Sequence, residues 1–420
     1  MHIQGKKHLA EALQALSGIP KEHEGRISWE SGALERGTFE LIYNLTFTPS
    51  VEGHIKDGAI WHALNECARG KDFSAKFFIQ KIRAYLKGLL SKEPRSFIAV
   101  AQINAQLGAK LPKRIASIDG TIDIRASLPP LCVKVISKLD GYERSRLNLH
   151  TDFNYMTIKV TSTSERSAVD AAYRNMKYAL GVINLAADGY GVSKRFGFPN
   201  APIGKFLSAS PIFIIDTVAA KLGNWQSENH YPSQWKRNFS VWQSQPTDEI
   251  AICAKHITYD LSRIDFKERL IQSVLQFQEG LETSHIETAL LKFWTGIELL
   301  CSREEKEPSE RIVERASSIF DDHRHAAMRL NFIQEFRNRI VHRGEAGDHA
   351  LLCAQYGSLY LGTMIRFFLW NRFKFRKRET ILDYLSAPLD EKKLLDIIFI
   401  NRKRLDALRR RKARIASHTA

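Results

Sequence analysis

The sequence predicts an α+β N-terminal region followed by an all-helical C-terminal part, and two observations carry the prediction. Short runs of β-branched and aromatic residues, some alternating with polar ones, are confined to the first 250 residues. From Asp260 onward the strand signal vanishes, and apolar residues recur at helical spacing between recognisable helix starts and stops. At 420 residues the chain is long enough to bury a large core in roughly two or three domains.

The strand-like stretches are Gly37 to Thr48, Ser96 to Asn104, Ile118 to Ala126 and Tyr155 to Ser162. Helical patterns separate them: Ser74 to Leu90, and Glu165 to Ala186, where Val169, Ala172, Met176, Leu180 and Ile183 follow three- and four-residue steps. Leu222 to Pro246 combines Gly, Asn, Ser and Pro with Trp225, Trp235 and Trp242, a composition that suits a structured connector. The domain boundary is therefore placed near residue 250, giving an α+β region at 1–250 of unknown role, a helical part at 251–380 and a basic helical tail at 381–420.

In the C-terminal part the helix starts are local. Ser284 and Glu287 have capping-box spacing, so a helix is expected from there to about Cys301. Pro308 and Ser309 introduce a second. A third should run from about His325 to Arg343, closed by a left-handed Gly344, and a fourth, apolar on most sides, from Leu351 to Asn371.

Lys and Arg number 62 against 46 Asp and Glu, a formal charge of +16 that favours a polyanionic partner. Much of the excess lies in the last fifty residues, at Arg372, Lys374, Arg376, Lys377, Arg378, Arg402, Lys403, Arg404, Arg409, Arg410, Arg411, Lys412 and Arg414. The five cysteines are scattered and form no C-x-x-C, so neither a zinc knuckle nor a disulfide framework is indicated, and a reducing, cytoplasmic setting fits best. The N-terminus lacks a signal-peptide core, and runs such as Leu359 to Trp370 are too short to span a bilayer, so no membrane partner is expected.

The most informative stretch runs from Phe336 to Glu345. On a helix Phe332, Phe336 and Ile340 would fall on one face, with Glu335, Asn338 and His342 on a polar one and Arg339 at its border. Asn338 lies one turn before His342, where its amide could set the imidazole tautomer that acid/base work requires. Arg337 is five residues from His342, about 140° around the helix, so a second copy of the helix would bring the two types of group together more readily than one.

The spacing Arg337, Asn338, three residues, His342 resembles the Arg/His signature of the HEPN superfamily. Upstream, Trp294 and Glu298 before Leu299 and Leu300 are similar to a helix of Apea-like HEPN domains. The resemblance covers roughly residues 260–375, about a quarter of the chain. It implies a HEPN helical bundle of about four or five helices that forms a homodimer, with paired Arg337 and His342 in one cleft cutting RNA without metal or cofactor. His342 would act as base on the ribose 2′-hydroxyl, and His342 of a second copy as acid on the leaving 5′-oxygen. Arg337 would hold the charge on the phosphorane, leaving a 2′,3′-cyclic phosphate and a 5′-hydroxyl. Asn338 would orient His342 or hold a phosphate, and Glu298 would hold Arg337 or Arg339. Arg343, Arg376, Lys377, Arg378, Arg409, Arg410 and Arg411 are the expected RNA contacts. The family further suggests tRNA or messenger RNA as substrate, a toxin or antiphage role, and a phage or nucleic-acid trigger sensed by residues 1–250. A HEPN protein that only binds RNA or a partner is the alternative.

Each of these residues also has a plainer reading. His342 could simply meet the last carbonyls of its helix, Arg339 could pair with Glu335, and Trp294 is better read as core than as a base platform. Leu394, Leu395, Ile397, Ile398, Leu405 and Leu408 give the tail an apolar stripe, so a docked helix with a basic outer side is expected there. Asp321, Asp322, His323 and His325 read as an exposed loop with a helix N-cap rather than a metal site. Asp188 to Lys194 lacks the spacing of a phosphate-cradling loop.

Overall fold

A computed structural model describes residues 2–23, 26–29, 40–48, 53–107, 111–187, 202–226, 249–304, 307–344 and 349–419, with the side chains of 2, 21–23, 26, 53, 54, 90, 106, 343 and 411–419 excepted. The segment 188–194 and most of the expected tryptophan-bearing connector lie outside the described residues. A sheet-containing N-terminal region precedes a helical C-terminal part, as the patterning predicts.

The chain divides into two compact units, 1–97 with 161–168, and 98–160 with 169–420. In the first, β1 (His2–Gly5) pairs antiparallel with β4 (Leu45–Thr48), and β2 (Lys21–His23) with β3 (Arg26–Ser28). Three helices, α1 (Leu9–Leu16), α2 (Gly53–Gly70) and α3 (Ala75–Leu90), build its core. Ser74 caps α3 by accepting from the Phe77 amide at 3.3 Å, and the four-residue steps Phe78, Ile82 and Leu86 turn one face inward against Leu13, Ile60 and Leu64. Of the stretch expected as a strand from Gly37, only β4 is extended; 40–43 are helical.

The second unit holds a six-stranded sheet in the order β10 (Lys221–Gln226), β9 (Ile212–Asp216), β5 (Arg95–Gln106), β8 (Phe153–Ser162), β7 (Thr121–Arg125), β6 (Arg114–Ala116). The short helices α4 (Pro130–Ser137) and α5 (Gly141–Leu147) follow β7. Strand β10 occupies the start of the expected connector. Its Leu222 and Trp225 pack on the Val100, Phe213 and Ile215 cluster, so tertiary burial and β9 pairing override the local Gly-Asn signal.

Helix α6 (Glu165–Ala186) joins this sheet to the helical part, which begins with α7 (Glu249–Arg263) and α8 (Lys267–Glu282). The change of pattern near residue 250 therefore falls inside the second unit, because α6 and α8 are packed and polar-bonded together. Gly181 of α6 meets Val274 so closely that a Cβ would lie 2.7 Å from its side chain. Asn184 donates to Gln278 Oε1 at 2.8 Å, and the Lys177 ammonium is ion-paired to Glu282 with both side chains buried. Glu282 also accepts the Ser208 amide at 2.9 Å.

Beyond α8 come α9 (Ile286–Cys301), α10 (Ser309–Ser317), α11 (His323–Arg343), α12 (Ala350–Trp370), α13 (Arg378–Leu385) and α14 (Glu391–Thr419). Helix α9 packs against α8, α11 and α12, and α11 against α10 and α12. Close approach is set by glycines: a Cβ on Gly280 would stand 2.6 Å from the Phe293 ring. The predicted ends hold at Gly344 and Asn371, both left-handed caps. The predicted capping box does not form; His285 precedes α9 without a side-chain bond, and Thr283 Oγ1 accepts the His285 amide at 3.2 Å.

The tail departs from expectation. Helix α14 forms, but every described side chain from Glu391 to Arg410 is exposed, so its apolar stripe is not docked. Among the described residues no helix is long and apolar enough to cross a membrane.

Candidate active site

The motif helix α11 starts at Asp322, whose carboxylate accepts the His325 amide at 3.3 Å and also binds the His325 ring, which holds its pKa below the usual carboxylate range. Asp322 is thus a helix cap, as expected of that loop. Among the described residues no group of three or more His, Cys, Asp or Glu side chains is arranged to hold a metal ion.

The buried line of α11 is Ala326, Leu330, Ile333 and Phe336, which keeps Phe336 of the predicted face but not Phe332 or Ile340. Four-residue steps advance the helix by about 40° each, so a stripe at constant spacing of four drifts off the core. Phe332 is 42 % exposed and Ile340 only half-buried.

That rotation brings Arg337 toward α9. Its Nη2 stands 3.8 Å from Glu298 Oε1, and its Nη1 donates to Asn338 Oδ1 at 3.0 Å. Glu298 is positioned in turn by Trp294, whose Nε1 donates to the same Oε1 at 2.6 Å. Trp294 is buried with Phe293 and Ile297, so the chain Trp294, Glu298, Arg337, Asn338 runs from the core to the surface. Glu298 and Arg337 are each about one-third exposed, leaving the guanidinium's outer edge accessible to an anion.

His342 lies one turn beyond Asn338 and is exposed. The expected hydrogen bond from Asn338 to His342 is not formed, because the Asn338 carbonyl oxygen is taken by Arg337; among the described residues the imidazole has no bonded partner. Arg339 turns away from Glu298 and Glu335 and lies over the Phe336 ring, 3.8 Å from its centroid. His349, just before α12, was not anticipated from sequence; its ring stands 6.4 Å from that of Phe332 and 6.5 Å from that of Phe336. The only sequence signal for it is that it follows the Gly344 cap closely enough to fold back on α11.

No protein-family model, no curated protein and no solved structure matches the chain.

The remaining predicted contacts separate into two kinds. Arg376, Lys377, Arg409 and Arg410 are exposed and open to an anion, whereas the side chains of Arg343 and Arg411 lie outside those described. Arg378 is 5 % exposed and is corrected from RNA contact to structural cap: its Nη2 donates to the carbonyls of Leu299 and Leu300 at 3.2 Å and to that of Ser302. As the first residue of α13 it points inward and closes the carbonyl end of α9, where a cation meets the negative pole of the helix. Burial pushes its guanidinium down to about 10.

Proposed function

We propose that the chain is a metal-independent endoribonuclease of the HEPN type, acting as a homodimer. The observation that carries this reading is the linked set Trp294, Glu298, Arg337 and Asn338, one helical turn before an exposed His342 that has no bonded partner among the described residues. In this reading Glu298 holds Arg337 on its inner edge and leaves the outer edge for the phosphate oxygens that gain charge during transfer. His342 takes the 2′-hydroxyl proton, and His342 of a second copy protonates the 5′-oxygen. Arg337 and His342 point from different sides of one helix, which favours pairing across a dimer. The exposed Met328, Phe332, Val341 and Leu352 on α11 and α12 support such a contact. Exposed Arg376, Lys377, Arg409 and Arg410 suit RNA phosphates. A cytoplasmic toxin or antiphage effector acting on tRNA or messenger RNA is the setting we infer.

The test is incubation of purified protein with total tRNA and an end-labelled RNA in EDTA, beside the His342→Ala variant. Cleavage leaving 2′,3′-cyclic phosphate ends by wild type and not by the variant is expected. Equal cutting by both would remove His342 from the chemistry. The alternative, an RNA- or partner-binding HEPN protein without cleavage, is favoured by one observation: Asn338 bonds Arg337 and leaves the imidazole unoriented within a single chain. It predicts unchanged RNA affinity and no products from wild type.

A further inference from the structure

At the far end of α12 from the motif, the chain builds a groove of about 730 Å³ between the end of α7, the start of α8 and the turn after α12. Trp370 stands in it 74 % exposed, an unusual state for an indole, while Phe368 on the same helix is buried. Lys374 and Arg376 line the same groove, as do Asp260 and Asp265, and Arg263 lines it too while donating to the Tyr259 hydroxyl at 2.9 Å. Lys374, Arg376, Asp260 and Asp265 have no side-chain ion-pair or hydrogen-bond partner among the described residues.

The turn that carries Lys374 and Arg376 is closed by its own hydrogen bonds. Asn371 and Lys374 both hold left-handed backbone, φ 37° and 55°, which side chains other than glycine adopt at a cost. The conformation is fixed by Asn371, whose Nδ2 donates to the Phe375 carbonyl at 2.6 Å while its Oδ1 accepts the Phe375 amide at 2.9 Å. Behind the turn, Phe373 and Phe375 pack on Tyr384 of α13, with ring centroids 4.7 and 5.7 Å away. The groove is therefore preformed, with strain held at Lys374 and a large aromatic face left open.

We propose that this groove is a nucleotide-binding site that anchors single-stranded RNA, with a base stacked on Trp370 and its phosphates on Lys374 and Arg376. The carboxylates decide the class of ligand. Asp260 and Asp265 repel a bare polyanion, whereas a nucleobase offers amino N–H donors to them at the same time as its phosphate meets the cations. A stacked base satisfies all three kinds of group in one ligand. Trp370 lies about 30 Å from the start of α12, at 1.5 Å per residue over its length. The anchor therefore grips RNA several nucleotides away from the Arg337 and His342 end of α11. As an account of substrate capture this rests on the ribonuclease reading; as a binding site it does not.

The test is fluorescence anisotropy of short labelled oligoribonucleotides on the full chain carrying His342→Ala, with Trp370→Ala or Lys374→Gly added. Both added changes are safe for the fold, since Trp370 is exposed and glycine suits the left-handed position. Trp370→Ala is expected to weaken oligo(A) and oligo(C) binding at least about fivefold. Lys374→Gly should lower the slope of log affinity against log salt by about 0.7, the loss of one phosphate contact on a single strand. Oligo(U), without an amino group, should bind more weakly than either. Undiminished affinity in Trp370→Ala would overturn the proposal, and if the same variant also lost self-association on sedimentation, the groove would be a contact between copies instead. Cleavage by wild type, measured in parallel, separates the two readings: cutting with unchanged Trp370→Ala affinity sinks the anchor alone, and lost affinity without cutting sinks the nuclease alone.

Discussion

Lys177 and Glu282 form an ion pair whose side chains are 0 % and 1 % exposed, and removing one partner should be far more damaging than removing both. In Lys177→Met the buried Glu282 carboxylate loses the ammonium that balances its charge while still accepting the Ser208 amide, 2.9 Å from Oε1. Breaking a buried pair from one side costs about 3–5 kcal/mol, because the remaining charge is stranded in low dielectric. Lys177→Met with Glu282→Gln removes that charge while Gln can still accept the Ser208 amide, so the double variant should recover most of the loss. Urea unfolding followed by far-ultraviolet circular dichroism measures the full cycle. A loss below about 1 kcal/mol in the single variant, with no recovery in the double, would refute the view that the two buried charges depend on each other.

Glu307 is held below the usual carboxylate range, first by the paired hydrogen bonds from Arg315, at 2.6 and 2.7 Å. Its contribution should be fully present above about pH 4.3 and be lost as the pH falls through its depressed folded value, so thermal melts of wild type and Glu307→Gln should converge in acid. Arg378→Ala should lower the melting temperature, since it uncaps three carbonyls at the end of α9, yet leave the salt dependence of RNA binding unchanged; Arg376→Ala should do the reverse. Gly280→Ala should destabilise by about 1–3 kcal/mol despite better helix propensity, because the new methyl meets the Phe293 ring; Gly280→Ala with Phe293→Leu should recover part of it in the same unfolding assay.

Local chemistry was legible in the sequence. The limits of α6, α11 and α12 follow from periodicity and from Gly344 and Asn371, because a left-handed cap needs only its own residue and the last turn of helix. Asp322 as a cap and Trp294 as core were readable for the same reason. Orientation was less so: a small angular error rotates the buried line from Phe332 and Ile340 to Ile333, and with it decides which polar groups meet. Asn338 could serve His342 or Arg337, and it serves Arg337 because Glu298 on α9 draws the guanidinium to that side.

The sequence by itself determined the α+β to helical order, the helix ends and the presence of Arg337, Asn338, His342 and Glu298 as candidates, since these depend on residues within a turn or two of each other. Only the tertiary structure decided that Arg378 is a buried cap and Arg376 an exposed cation two residues earlier, and that the described side chains of α14 are left undocked. It also decided that Lys177 and Glu282 pair across 105 residues and tie the sheet to the helices. Those outcomes turn on which side of an element faces the core, and burial energy summed over distant residues sets that, whereas local propensity does not.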